Sequence, residues 1–164
     1  MTKLLTLLAV AVLAGCSSGE EHNTFVEGGV SLEVPSVWDV SGFSVTVFPR
    51  RLVAASYEVR RADVEGDCGG YAAVERLTRR GAYVVLIDYG ARSGSAHAAD
   101  FPSRLPLALK DGQLANFECF GHSYAFRFIV NGRAIQAHVG LGRDADNARR
   151  SEALRVVNSL RIVG

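Results

Sequence analysis

Lysine is almost missing from this 164-residue chain: Lys3 and Lys110 are the only two, and arginine carries the rest of the positive charge. Charge imbalance is missing too, since 18 basic side chains face 17 acidic ones. A chain so close to neutral lacks the basic field that holds nucleic acid or draws a protein to anionic lipid heads. No apolar run is long enough for a permanent membrane span; Leu4 to Ala14 falls well short of about 20 residues. Catalytic signatures are equally scarce. Arg92-Ser93-Gly94-Ser95, the nearest approach to Gly-x-Ser-x-Gly, lacks the strand–turn–helix setting of a nucleophile elbow. Gly69-Gly70 and Gly140-x-Gly142 are too short to cradle a phosphate and read as turns. There is no internal repeat and no sign of a second domain.

What the chain does have begins at its N-terminus. One early cation, Lys3, precedes the apolar run, and Leu13-Ala14-Gly15-Cys16 closes it. Length and flanks are those of a signal-peptide core. The last four residues resemble the lipobox of bacterial lipoprotein precursors at every position. The resemblance implies cleavage before Cys16 and a lipid on its thiol: residues 1–15 as signal peptide, 16–23 as lipidated cysteine and polar tether, 24–164 as one globular domain. Ser17, where an aspartate would be an inner-membrane retention cue, permits sorting to an outer membrane. In a one-membrane host the protein would sit on the outer face of the plasma membrane. The expected contact with the bilayer is the acyl anchor alone, palmitate or a similar chain, with two or more chains needed for stable attachment.

Cleavage would leave 149 residues, enough for a real core, and would remove Lys3, so that 17 basic residues balance 17 acidic ones. With Cys16 taken by lipid, Cys68 and Cys119 remain as an even pair in an oxidising compartment, where a disulfide is expected. It would close a loop of about 50 residues, for which chain entropy gives about 4 kcal/mol. Two free thiols or a metal pair are the alternatives, although neither cysteine lies in Cys-x-x-Cys or has a histidine at ligand spacing. The arginine bias, with abundant alanine, glycine and valine, suits a GC-rich genome.

Along the domain, Val30 to Val34 alternates and stops at Pro35 as a first strand, and 36–38 is a turn. Phe43 to Phe48 reads as a second strand. Leu52 to Val59 reads as a third, with Val53, Tyr57 and Val59 on one face. A loop over 63–70 holds Cys68. Tyr71 to Arg80 takes helical period, with Tyr71, Val74 and Leu77/Thr78 on one side, a Glu75–Arg79 pair, and Gly81 as the stop. Ala82 to Tyr89 is an apolar strand buried on both faces. A low-complexity loop follows to Ala99. Phe101 to Leu109 is extended and suited to an edge, because Pro102 and Pro106 cannot donate. Asn131-Gly132 between β-rich runs (119–130 and 133–141) is a hairpin that pairs Phe128 with Ile135, Phe126 with Ala137 and Tyr124 with Val139. Asp144 is expected to cap a last helix through Asn158 whose apolar side is Ala153, Leu154 and Val157, and 159–163 could close the sheet. The fold expected is α+β: an antiparallel, twisted sheet with two helices packed against it.

Several of these marks recur together. Val34-Pro35-Ser36-Val37-Trp38 runs a strand into Pro-x-x-Trp; Gly132-Arg133-Ala134-Ile135 opens a strand ending in Val139-Gly140-Leu141-Gly142; Asn158-Ser159-Leu160-Arg161 closes the chain. From Val30 to Val163 the pattern resembles small exported proteins of the PsbP-like α+β fold, actinobacterial surface lipoproteins among them. That resemblance implies a binding or assembly accessory without catalysis, whose partner is an unidentified envelope protein or small ligand.

The histidines, His22, His97, His122 and His138, are scattered, and hairpin parity puts His122 and His138 on opposite faces. No metal site and no cofactor is expected. Glu118, His122 and Ser123 beside Cys119 are the nearest approach to a polar cluster, and an exposed strand end next to a disulfide accounts for them. Trp38 reads as a core or seam residue. The expectation is therefore a lipid-anchored envelope protein with no catalytic residues, with a cell-envelope hydrolase as the alternative.

Overall fold

The computed structural model describes residues 21–42, 49–63, 68, 70–91 and 100–163. The lipobox with Cys16, the expected strand Phe43 to Phe48, the Arg92–Ser95 stretch and His97 lie outside the described residues. The chain is α+β, with two antiparallel sheets and two α-helices. Strands β1 (His22–Glu27), β2 (Val30–Pro35) and β9 (Arg161–Ile162) form a small sheet in the order β1-β2-β9. The large sheet has six strands: β3 (Asp39–Gly42), β4 (Arg50–Ala55), β5 (Ala82–Asp88), β6 (Gln113–Phe117), β7 (Gly121–Val130) and β8 (Arg133–Leu141). Its order is β3-β4-β5-β8-β7-β6.

Two sheets, where one was expected, follow from coverage. Six strands span about 24 Å, whereas helix α2 (Asn147–Asn158) is about 18 Å long and one helix wide. The small sheet lies with α2 over the inner face of the large one. Leu32 and Val34 of β2, Val84 and Leu86 of β5, Phe126 and Phe128 of β7, and Val156 and Val157 of α2 share one buried core. The closing segment after α2 pairs with β2, not with the large sheet. A second core lies on the outer face, where Val53, Ala55, Tyr83, Val85 and Ile87 pack against Ala73 of helix α1 (Tyr71–Glu75). Every residue of β5 is buried, as its unbroken apolar run requires.

The Asn-Gly hairpin has the expected register: Phe128 faces Ile135, Phe126 faces Ala137 and Tyr124 faces Val139, with Asn131 and Gly132 at positive φ. Other elements differ. His22 and Asn23, assigned to the tether, pair with Pro35 and Val34 in β1. The third strand ends at Ala55, although Tyr57 and Val59 still join the same core. The helix from Tyr71 stops at Glu75 and buries Ala73, leaving Tyr71 44% exposed. Past Glu75 the Arg76 and Leu77 N–H groups bond carbonyls three residues back, on Ala73 and Val74, and farther on the carbonyls of Arg79 and Gly81 accept from Asp144 and Gly142. Arg79 accordingly pairs with Asp144, not Glu75, at 2.6 Å. Asp144 is thereby removed from capping, and Asp146 caps α2 by accepting from the Arg149 N–H at 2.8 Å. The segment from Phe101 makes a single bridge, Ser103 to Phe128. Residues 113–117, not assigned from sequence, form edge strand β6.

Candidate functional site

Cys68 and Cys119 form a disulfide with Cα atoms 5.1 Å apart, within the usual bridging range. Cys119 lies in the 118–120 turn between β6 and β7, while the Cys68 carbonyl accepts from Tyr71 at the start of α1. The bond therefore ties the helix to the turn, and the turn brings Phe120 over His138. Their rings stack at 4.0 Å, and Phe117 meets the same imidazole edge-on at 4.8 Å.

Beneath that lid runs a chain of polar groups across the outer face of β5, β8 and β7. Tyr89 Oη donates to Gln136 Oε1 at 3.2 Å, and Gln136 Nε2 lies 2.7 Å from His138 Nε2. An amide nitrogen can only donate, so Nε2 is the acceptor and the neutral imidazole carries its proton on Nδ1. Nδ1 then donates to Ser123 Oγ at 3.3 Å. Beside Ser123, the Tyr83 phenol donates to the Phe120 carbonyl. Each of these five side chains, Tyr89, Gln136, His138, Ser123 and Tyr83, has a hydrogen-bond partner, as burial demands. Gly140 makes the geometry possible, because a Cβ there would overlap the Tyr83 ring. Burial, aided by the Arg127 charge, lowers the His138 pKa from 6.5 to about 4. Burial pushes the Tyr83 phenol up to about 12.

The expected cluster beside Cys119 is split by strand parity. Glu118 and His122 are exposed, His122 lying across from Asn116 of β6, whereas Ser123 points inward to His138. The Ser123–His138 contact is the one sequence reasoning missed. The hairpin register held the information: Ser123 faces Gly140 and Ala125 faces His138, so the two are diagonal neighbours on one face. The pair is not arranged for catalysis. Ser123 and His138 are 1% and 0% exposed, and the far imidazole nitrogen meets an amide where a triad would place a carboxylate.

Trp38 is buried in the main core, donates to Glu152 at 3.3 Å and lies under the Arg149 guanidinium, which is a seam role. His22 is exposed on β1. Among the described residues, no three His, Cys, Asp or Glu side chains gather as a metal site.

A small cavity of about 30 Å³ opens between the sheets, walled by Val30, Leu52, Leu86, Ile135 and Leu160, with Glu27, Arg50 and Asp88 at its rim. It has room for about two waters and is far below the several hundred Å³ of a typical ligand pocket. Its rim is a clamp. Arg133 pairs with Asp88 and reaches the Gly28 and Gly29 carbonyls, while Arg50 Nη1 donates to the Gly28 carbonyl at 2.5 Å. Both glycines take positive φ, which aims those carbonyls at the arginines.

Comparison with known proteins finds no family model, no curated protein and no solved structure that matches this chain.

Proposed function

We propose that this chain is a bacterial envelope lipoprotein, anchored by lipid on Cys16, whose PsbP-like domain binds or scaffolds another envelope component without catalysis. Support for the anchor is the Leu13-Ala14-Gly15-Cys16 match. Support for the fold family is the pattern running from Pro35-x-x-Trp38 to Leu160, together with an antiparallel α+β architecture of the expected class.

One observation carries the non-catalytic reading. The serine–histidine contact is sealed under Phe120 and ends in Gln136, so no substrate can reach Ser123 Oγ and no carboxylate steadies the imidazole. Catalysis by such a pair needs both.

Two experiments test the halves of the proposal. With radioactive palmitate, the full-length protein should take label, and Cys16→Ser should lose it and accumulate as precursor; an unlabelled wild type overturns the anchor. In a deletion strain, Glu118→Gln, His122→Ala and Ser123→Ala should each complement. A variant that folds and localises normally yet behaves as a null would return the envelope hydrolase reading.

A further inference from the structure

The turn after β2 lies where the domain begins. The Ser36 N–H donates to the Glu21 carbonyl at 2.8 Å, and His22 then pairs with Pro35 as β1 starts. The Trp38 N–H donates to the Pro35 carbonyl at 2.9 Å, which closes a β-turn with Ser36 and Val37 at its tip. Both tip side chains are exposed, while Pro35 and Trp38 on either side are buried. Val37 is 77% exposed, more than any other large apolar side chain among the described residues.

Its place in the chain gives this tip its meaning. Cys16 and Glu21 are five residues apart, a reach of at most about 18 Å. The Glu21–Ser36 bond then sets the turn directly against the point of entry. A lipid on Cys16 therefore keeps Val37 close to the bilayer surface. From His22, β1 leads away from that end of the small sheet, toward the Gly28–Gly29 turn that Arg133 holds together with Asp88.

We infer that the Val37 tip inserts into the bilayer that holds the acyl anchor and so fixes the orientation of the domain on the membrane. The inference rests on the proposed anchor and adds a protein contact to it, where the sequence led us to expect the acyl chain alone. On a free protein a lone exposed valine carries no such meaning, because its burial cannot offset the freedom lost on association. The anchor removes that cost, since docking of a tethered domain is intramolecular. Burial of one valine side chain then favours the docked orientation about tenfold. Charge does not supply the attraction. Exposed Glu21 and Asp39 flank the turn, and the Arg149 guanidinium over the Trp38 ring is paired with Glu152 at 2.5 Å. A zwitterionic bilayer is therefore a sufficient partner.

The test uses the full-length protein, processed in a bacterial host, in phosphatidylcholine vesicles that carry a fraction of nitroxide-headgroup lipid. Trp38 is the reporter, being the sole tryptophan of the chain and the neighbour of Val37. The nitroxide should quench its emission, equally at low and high salt and equally when phosphatidylglycerol is added. Val37→Asp should lower the docked-to-free ratio at least about tenfold and relieve most of the quenching, whereas Val37→Leu should retain it. Val26→Asp, at a 60% exposed position toward the other end of β1, should leave the quenching unchanged. Equal quenching in the wild type and Val37→Asp, equal loss with Val26→Asp, or quenching that needs anionic lipid overturns the inference. Flotation with the vesicles separates the two claims. A protein that floats without quenching loses the Val37 contact and keeps the anchor. One that does not float loses the anchor and the contact with it.

Discussion

Arg133, near the start of β8, reaches diagonally to Asp88 at the end of β5, and the same guanidinium holds the Gly28 and Gly29 carbonyls of the small sheet. The carboxylate is 6% and the guanidinium 15% exposed, so each relies on the other for compensation of its charge. This pair joins the two sheets at one end.

Removing either partner strands the other. Asp88→Leu or Arg133→Met should each cost about 3 kcal/mol, while the double variant combining them should cost less than the two singles together. Urea unfolding of the four proteins in a double-mutant cycle measures this. Additive losses would show that the pair is not coupled.

His138 makes stability depend on pH. Its folded pKa of about 4 lies below the unfolded value of 6.5, so between those limits the unfolded chain takes up a proton that the folded protein refuses. The stabilisation is therefore complete above pH 6.5 and is lost as pH falls toward 4. Between pH 7.5 and pH 5 the loss should be about 2 kcal/mol from this residue. His138→Gln should flatten that part of the profile, as judged by urea midpoints at the two pH values.

The Cys68–Cys119 bond should leave neither thiol open to alkylation in the unreduced, urea-unfolded chain. The double Cys→Ala variant should lose about 4 kcal/mol, the entropy of closing that loop. Its Phe120 ring should also loosen from His138, which an upward shift of the histidine's NMR titration would report.

Gly140→Ala forces a methyl group into the Tyr83 ring. The expected cost is about 2 kcal/mol from overpacking. Adding Tyr83→Leu, which vacates the space, should make the alanine nearly neutral. An alanine that is harmless in the wild-type background would contradict the packing described.

Local chemistry was enough to read several elements. The Asn131-Gly132 turn fixed a hairpin and its register, because only a few residue types accept positive φ at both turn positions. The apolar run from Ala82 to Tyr89 announced a strand buried on both faces, and Val30 to Val34 alternated with a clear stop at Pro35. Residues 113–117 lacked such a pattern, since every side chain of this edge strand is exposed or half-buried and no buried face imposes a period. The length of α1 and the choice of Asp146 over Asp144 as cap also escaped. The choice of cap depends on Asp144 meeting Arg79, 65 residues away in the chain, through both backbone and side chain.

By itself the sequence determined the α+β class, the hairpin register and a net charge near zero, and it made a Cys68–Cys119 bond the expected use of the two cysteines. Only the tertiary structure decided that there are two sheets, that Arg133 and Asp88 join them at one end, and that Ser123 belongs with His138 and not with His122. Turn residues and periodicity act over a few positions, whereas which strands become neighbours depends on covering the whole inner face of a six-stranded sheet.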